Sequence, residues 1–315
     1  MEPSIQTVAV PCALCGNPDG LAVARGWDFE YGTSRTEFTV RQCPECSHEY
    51  LSPRPLVAEL SRIYPPDYYA YDMQESHDGV VLRVKRALEG RRIRRFLKLV
   101  SASPPRCLDV GCGDGAFLDL LHSCGVPKNH LTGIDLSEAL IGRLRARGIA
   151  GYVGRIEDLA PPEHGYDLIL MLQTIEHVED PVAVLAAVSR LLAPGGIFVC
   201  ETPNVRSLDA LLFRHRYWSG YHFPRHWHLF HEATLSALGK GAGLDLVRIQ
   251  TYPCVVSWIF PIHHWLRDHG MPRGVYRLFW PFRNLPLLAL FTVVDGLLAP
   301  FGLTSNLRGI FRRPE

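Results

Sequence analysis

Cys107-Leu-Asp-Val-Gly-Cys-Gly-Asp-Gly115 reads as a short apolar strand that runs into alternating glycines. Asp109 lies within the strand, and Cys112 and Asp114 separate Gly111, Gly113 and Gly115. A helical pattern follows at once, with Phe117, Leu118, Leu120 and Leu121 on its apolar face. The glycines allow a sharp strand-to-helix turn and let a ligand lie against backbone with no Cβ in the way. About twenty residues on, Leu131-Thr-Gly-Ile-Asp135 is a second apolar strand ending in an acid. An acid there can take a ribose diol, as in nucleoside-binding α/β sheets.

The spacing is G-x-G-x-G, and Asp109 precedes the first glycine by two positions. A carboxylate there disfavours a pyrophosphate and suits an ammonium group. The two strands together resemble the class I S-adenosylmethionine (SAM) methyltransferases, whose ligand carries an α-amino group and no phosphate. The resemblance implies a Rossmann-like α/β fold with a seven-stranded sheet, and a cofactor held by Asp109, Gly111, Cys112, Gly113, Gly115, Asp135 and Leu136. A third strand around Ile149–Val153 leads to Arg155-Ile-Glu-Asp-Leu159. The family commonly places an acid and a backbone amide against the adenine here. Arg155 stands where an aspartate is frequent, so that contact falls to the Ile156 backbone, Glu157 or Asp158.

Tyr166 to Leu172 is an apolar run typical of a strand buried on both faces. Gln173-Thr-Ile-Glu-His-Val-Glu-Asp-Pro181 follows. In related methyltransferases this turn lies beside the methionine part of the cofactor, which makes Gln173 a cofactor neighbour and His177 a candidate catalytic residue. A helix from Val182 to Leu192 ends at Ala-Pro-Gly-Gly196, before the strand Ile197–Glu201. This "RLLAPGG-F" string resembles the same family independently of the glycine loop. The resemblance covers roughly Arg106 to Ile249.

At 315 residues the chain can bury a full α/β core and one or two small additions. A formal charge of +1 makes no case for a protein wrapped in nucleic acid. No stretch reads as a signal peptide, no membrane span is obvious, and nine cysteines suit a reducing compartment. The expected location is the cytoplasm.

Before the glycine loop, Cys12-Ala-Leu-Cys15 and Cys43-Pro-Glu-Cys46 form two C-x-x-C knuckles. Four thiolates in that arrangement complete a tetrahedral, closed and therefore structural zinc site. Between them Trp27, Phe29, Tyr31, Phe38 and Val40 alternate as in a small hairpin sheet. His48 reads as a packing residue. The tyrosines at 64, 68, 69 and 71 either line an entrance or pack a linker. Val80 to Val100 reads as a helix, or a pair joined at Gly90, with basic residues from Arg83 to Lys98. Those residues form a solvated face or attract an anionic substrate or acidic lipid.

After Thr202-Pro-Asn204, an insertion contains Tyr217-Trp-Ser-Gly-Tyr-His-Phe-Pro-Arg-His-Trp-His-Leu-Phe230. Its histidines lie at the ligand-binding rim of the sheet. His226 and His228 are candidates for the base that takes a proton from the acceptor, and Arg225 for holding an anionic acceptor group. Metal binding competes as a reading. Leu244–Gln250 gives a sixth strand and Leu307–Phe311 a seventh, with an apolar insertion between them. Residues 285–303 are an apolar cap, a dimer contact or a peripheral membrane contact.

The expected organisation is a zinc ribbon (1–55), an aromatic and basic linker (56–105), a SAM-binding domain (106–251, with substrate loop 203–231), and an apolar helical cap with the final strand (252–315). It looks similar to ribbon-bearing methyltransferases associated with surface glycans and secondary metabolites. That implies O- or C-methylation of a small-molecule or sugar acceptor. Methylation of RNA gripped by the ribbon, or non-catalytic binding, are the alternatives.

Overall fold

The computed structural model describes residues 4–64, 79–280 and 284–315, with backbone alone for residues 79–86 and 285. Tyr68, Tyr69 and Tyr71, and the side chains of Arg83, Lys85 and Arg86, lie outside the described residues.

The N-terminal segment forms β1 (Thr7–Val8), β2 (Leu21–Gly26), β3 (Phe38–Gln42), β4 (Glu49–Leu51) and β5 (Arg54–Pro55). β1 pairs with β5, and β2, β3 and β4 form an antiparallel meander. Trp27, Phe29 and Tyr31 lie outside the hairpin strands, contrary to their alternation. Phe29 instead enters a core that the ribbon shares with Trp218, Tyr221, Phe223 and Trp227 of the later insertion. A ribbon this small buries too little apolar surface alone, and the insertion supplies the missing half. A short helix, α1 (Leu60–Ile63), follows.

The next helix, α2 (Gly79–Leu97), is continuous through Gly90. Ile93 and Phe96 are buried, whereas Arg91, Arg94, Arg95 and Lys98 face solvent. Arg92 turns inward and bonds Glu201 at 2.9 Å.

β6 (Cys107–Val110), α3 (Ala116–Ser123), β7 (Leu131–Asp135), α4 (Glu138–Ala146) and β8 (Ala150–Val153) build one half of the main sheet. β9 (Tyr166–Leu172), α5 (Pro181–Leu191) and β10 (Leu192–Pro203) begin the other. Asp180 caps α5 by accepting from the Val182 and Ala183 amides, and Pro181 presets its first turn. The insertion carries α6 (Leu208–Phe213) and β11 (His228–Leu229). Then come α7 (Glu232–Gly241), β12 (Asp245–Tyr252), α8 (Val256–Asp268), α9 (Arg273–Tyr276), α10 (Leu285–Leu298) and β13 (Asn306–Arg312).

The sheet order is β12-β13-β10-β9-β6-β7-β8. Strands β6 to β10 are parallel, and β13 runs antiparallel between β10 and β12. This is the seven-stranded sheet expected from the sequence. The chain leaves β6 toward β7 and later returns on its other side as β9. That reversal opens a crevice at the carboxyl ends of β6 and β9, where open α/β sheets bind ligands.

The segment between β12 and β13 is helical. Trp258 of α8 stacks on Phe291 of α10 at 5.6 Å, and its indole donates to buried Asp295 at 2.9 Å. No helix among the described residues is long and apolar enough to cross a membrane.

Candidate active site

At the sheet reversal Gly111, Gly113 and Gly115 all adopt positive φ (+70°, +54° and +83°), which strains any residue with a Cβ. A Cβ on Gly111 would meet the Thr174 hydroxyl at 2.4 Å, so this glycine lets the two loops touch. A Cβ on Gly113 would meet no protein atom within 4 Å and would project into open space. The Gly113 amide donates to Asp135 Oδ2 at 3.0 Å and the Ser137 amide to Oδ1 at 2.9 Å, which fixes the carboxylate at the tip of β7. Leu136 beside it is exposed, and Ile156, in the turn with Glu157 and Asp158, is buried. The Cys112 side chain is buried and packs toward Gly133, leaving its backbone to the loop.

Asp109 is buried, and its Oδ2 has no hydrogen-bond partner among the described residues. Burial, with Asp135 and Asp114 nearby, pushes its carboxyl up to about 8. A buried carboxyl with one unpartnered oxygen, a glycine cradle open to a ligand and an acid for a diol fit SAM. Gln173 holds a left-handed conformation (φ +56°) at the end of β9, and its amide donates to the Tyr252 hydroxyl at 3.4 Å. A strained non-glycine residue at a ligand crevice is a mark of a functional turn. Arg155 pairs with Glu179 at 3.1 Å.

Glu176 and His177 follow in the same turn. His177 Nδ1 lies 3.1 Å from the Arg225 carbonyl and 3.0 Å from the Tyr64 hydroxyl. His226 Nδ1 lies 2.7 Å from the Gly220 carbonyl. A carbonyl only accepts, so each Nδ1 carries the hydrogen and each Nε2 keeps its lone pair. The two rings meet edge to face at 4.5 Å. Burial first, then His222, drops His177 to about 3, and burial with His177 and His222 holds His226 well below the histidine range. Both imidazoles are neutral. Glu176 is fully buried, neither carboxylate oxygen finds a partner among the described residues, and burial raises it to about 8. One ligand atom from each of Glu176, His177 and His226 lies within 4.8 Å of the others.

His228 joins a different group. It pairs with Tyr50 across β11 and β4, and its Nδ1 sits 3.2 Å from Nε2 of buried His48. Burial, then Arg54, lowers it to about 4. It lines a groove of about 570 Å³ between ribbon and main domain, with Arg54, Arg155, Glu179 and Trp227. Arg225, expected to hold an anionic acceptor, is buried and spends its guanidinium on Asp28 at 2.8 and 3.1 Å, stacked over Tyr31. His222 bonds Glu30 at 3.0 Å. No local sequence pattern links Asp28 and Glu30 to a loop almost two hundred residues away.

The four ribbon thiols converge. The Cys12–Cys46 and Cys15–Cys43 sulfur pairs are 3.5 and 3.4 Å apart, and all four lie within 4.8 Å of one another. A tetrahedral ion with bonds of about 2.3 Å holds its sulfurs about 3.8 Å apart. The donor set fits zinc. β11 pairs with β4, so the histidine-rich insertion adds a fourth strand to the ribbon sheet.

A family described as "Methyltransferase domain" matches residues 83–249, more than half of the chain. The chain belongs to this family, the SAM-dependent methyltransferases. The ubiquinone biosynthesis O-methyltransferase of Marinobacter nauticus is 37% identical over 131 residues, 39% of this chain and 53% of that protein. The protein of the same name from Xylella fastidiosa strain M23 is 37% identical over 133 residues, 40% of this chain and 52% of that one. The chain thus spans about half the length of the curated relatives it matches. Among solved structures, a SAM-dependent methyltransferase from Archaeoglobus fulgidus aligns with a TM-score of 0.48 and 19% identity, over 75% of this chain and 100% of that one.

Proposed function

We propose that this protein methylates a hydroxyl oxygen of a small acceptor, with the ribbon cysteines Cys12, Cys15, Cys43 and Cys46 holding a structural zinc ion. The observation that carries the reading is the edge-to-face pair of imidazoles, half-buried His177 and buried His226, each with its Nδ1 on a backbone carbonyl and its Nε2 open, on the turn whose Thr174 meets Gly111. The name of the matching relatives, O-methyltransferases, supports oxygen as the acceptor atom. A sugar hydroxyl, as in surface glycans, or a secondary metabolite falls within the same class.

SAM supplies a methyl group already activated by its sulfonium. The protein's share is alignment, exclusion of water and removal of one proton. Asp135 takes the ribose diol, Asp109 faces the cationic end of the ligand, and the backbone of Gly111 to Gly115 leaves room for it. Leu136, Ile156, Glu157 and Asp158 surround the adenine, and Gln173 the methionine part. His226 or His177 accepts the acceptor's proton at Nε2, while the carbonyl of Gly220 or Arg225 steadies the opposite N–H.

A second reading is favoured by the convergence of Glu176, His177 and His226: a divalent ion held there would bind the acceptor oxygen directly. Two measurements separate these readings. Methyl transfer from labelled SAM to a panel of phenolic and sugar hydroxyl acceptors tests the reaction, and transfer to none of them, or to RNA alone, refutes it. Metal content per chain then decides the second question. One zinc fits the base, whereas a further ion lost in Glu176→Gln and His226→Gln fits the metal.

A further inference from the structure

The geometry points to the α9–α10 face as a docking surface for an anionic lipid bilayer. α10 has apolar residues all round, and its one charged side chain, Asp295, is buried against Trp258 and the Cys254 amide. A helix of that composition belongs inside a core or in lipid. Yet Leu290, Val293, Leu297 and Phe301 recur at helical spacing along the outward side, 54 to 75% exposed. Leu278 and Trp280 extend this face. The Leu278 carbonyl accepts from Asn284, the residue that caps α10, and Trp280 packs on His263 of α8. Leu278 is 59% and Trp280 46% exposed, although water-facing tryptophan and leucine cost free energy.

Charge selects the occupant. Arg273 and Arg277 are exposed beside Leu278, and among the described residues from 269 to 303 the sole acid is the buried Asp295. A second copy meeting this face would bring arginine against arginine with no carboxylate to pair. Anionic headgroups supply the missing charge, while the apolar stripe and Trp280 settle at the headgroup–acyl boundary. α10 lies along the membrane in this arrangement, since it is too short to span it.

The test is co-sedimentation of the full chain with vesicles of phosphatidylcholine alone and with about a third phosphatidylglycerol. The expected result is at least about tenfold tighter binding to the anionic vesicles, weakened by salt. Val293→Asp with Leu297→Asp should lower binding to both about tenfold or more, and Arg273→Glu with Arg277→Glu should abolish the preference for phosphatidylglycerol. SAM affinity, unchanged in both variants, certifies the fold. Equal, negligible binding of the unmodified chain to both vesicles overturns the proposal. So does a vesicle-free dimer that Leu297→Asp dissociates, which assigns the face to a second copy.

Discussion

Asp28 and Arg225 form a two-pronged ion pair, 2.8 and 3.1 Å long, with both side chains wholly buried. One lies in the N-terminal segment and the other in the loop that carries His226. Arg54 reinforces the junction by lying 4.5 Å over the Trp227 ring and bonding the Glu179 carbonyl at 3.0 Å. The proposed acceptor side of the crevice is therefore built by two segments that are remote in sequence. Removing one partner leaves a buried charge unpaired, which costs about 3–5 kcal/mol. Asp28→Asn should lower the melting temperature by about 5–8 °C, at roughly 1.5 °C per kcal/mol for a chain of 315 residues. It should also reduce turnover more than SAM affinity, because Asp135 and the glycine loop lie outside the junction. Calorimetric melting and SAM titration check both parts.

Gly111 and Gly113 should respond differently to alanine. Both pay the left-handed cost of about 1–2 kcal/mol, but only at Gly111 does the new Cβ strike protein, at Thr174. Gly111→Ala is expected to destabilise the fold. Gly113→Ala should fold and lose SAM affinity by about tenfold or more, because its methyl group enters the ligand's space. Melting curves with and without SAM distinguish the two.

Asp109 gives a pH dependence with a definite sign. Its carboxyl titrates near 3.8 when unperturbed and at about 8 in the ligand-free fold. Between those values the folded chain holds a proton that the unfolded chain has released, so stability falls as pH rises from about 4 to about 8. Asp109→Asn should remove this slope, gaining most relative to the parent near pH 8, and should also lose SAM binding. Binding of SAM to the parent at pH 7 should release a proton. A binding enthalpy that does not change with the buffer's ionisation enthalpy would contradict this.

Zinc should matter to the acceptor side before the cofactor side. Cys43→Ser, or zinc removal by a chelator, is expected to lower the melting temperature and to cut methyl transfer about tenfold or more, while the remaining folded protein still binds SAM. Parallel zinc analysis, turnover and SAM titration give the comparison.

His226→Gln should reduce kcat by about 10²–10⁴, the usual contribution of a positioned base, without altering SAM affinity. His228→Gln should act mainly on stability, since that ring packs against His48. Equal loss of kcat in the two variants would put the base elsewhere.

The parts of this protein readable from the sequence are the local ones. Gly111 to Gly115, Asp135 and the apolar run of β9 carry their meaning within a few residues, and the place of β13 follows from the last strand-like segment. Long-range partners were not legible. Linear spacing treats His226 and His228 alike, and what separates them is the pairing of β11 with β4, which turns one ring toward His177 and the other toward His48. Arg225 reads as an open cation until Asp28 is placed against it. Trp27, Phe29 and Tyr31 alternate like a strand, but Trp27 and Phe29 pack into the core shared with the insertion and Tyr31 lies under the Arg225 guanidinium. Gly90 interrupts nothing, because a helix interior accepts glycine at a cost of about 1 kcal/mol.

The pairing of β11 with β4 also bears on how the chain can be divided. Cut away from the rest, the ribbon would expose β4 as an unprotected edge with Tyr50 and Leu51 upon it, a template for strand addition by other molecules. The remaining chain would carry a tryptophan-rich loop stripped of its neighbour. Ribbon and methyltransferase domain are separate by sequence pattern but share one buried core and one sheet, and splitting them near residue 55 is expected to leave two sticky halves.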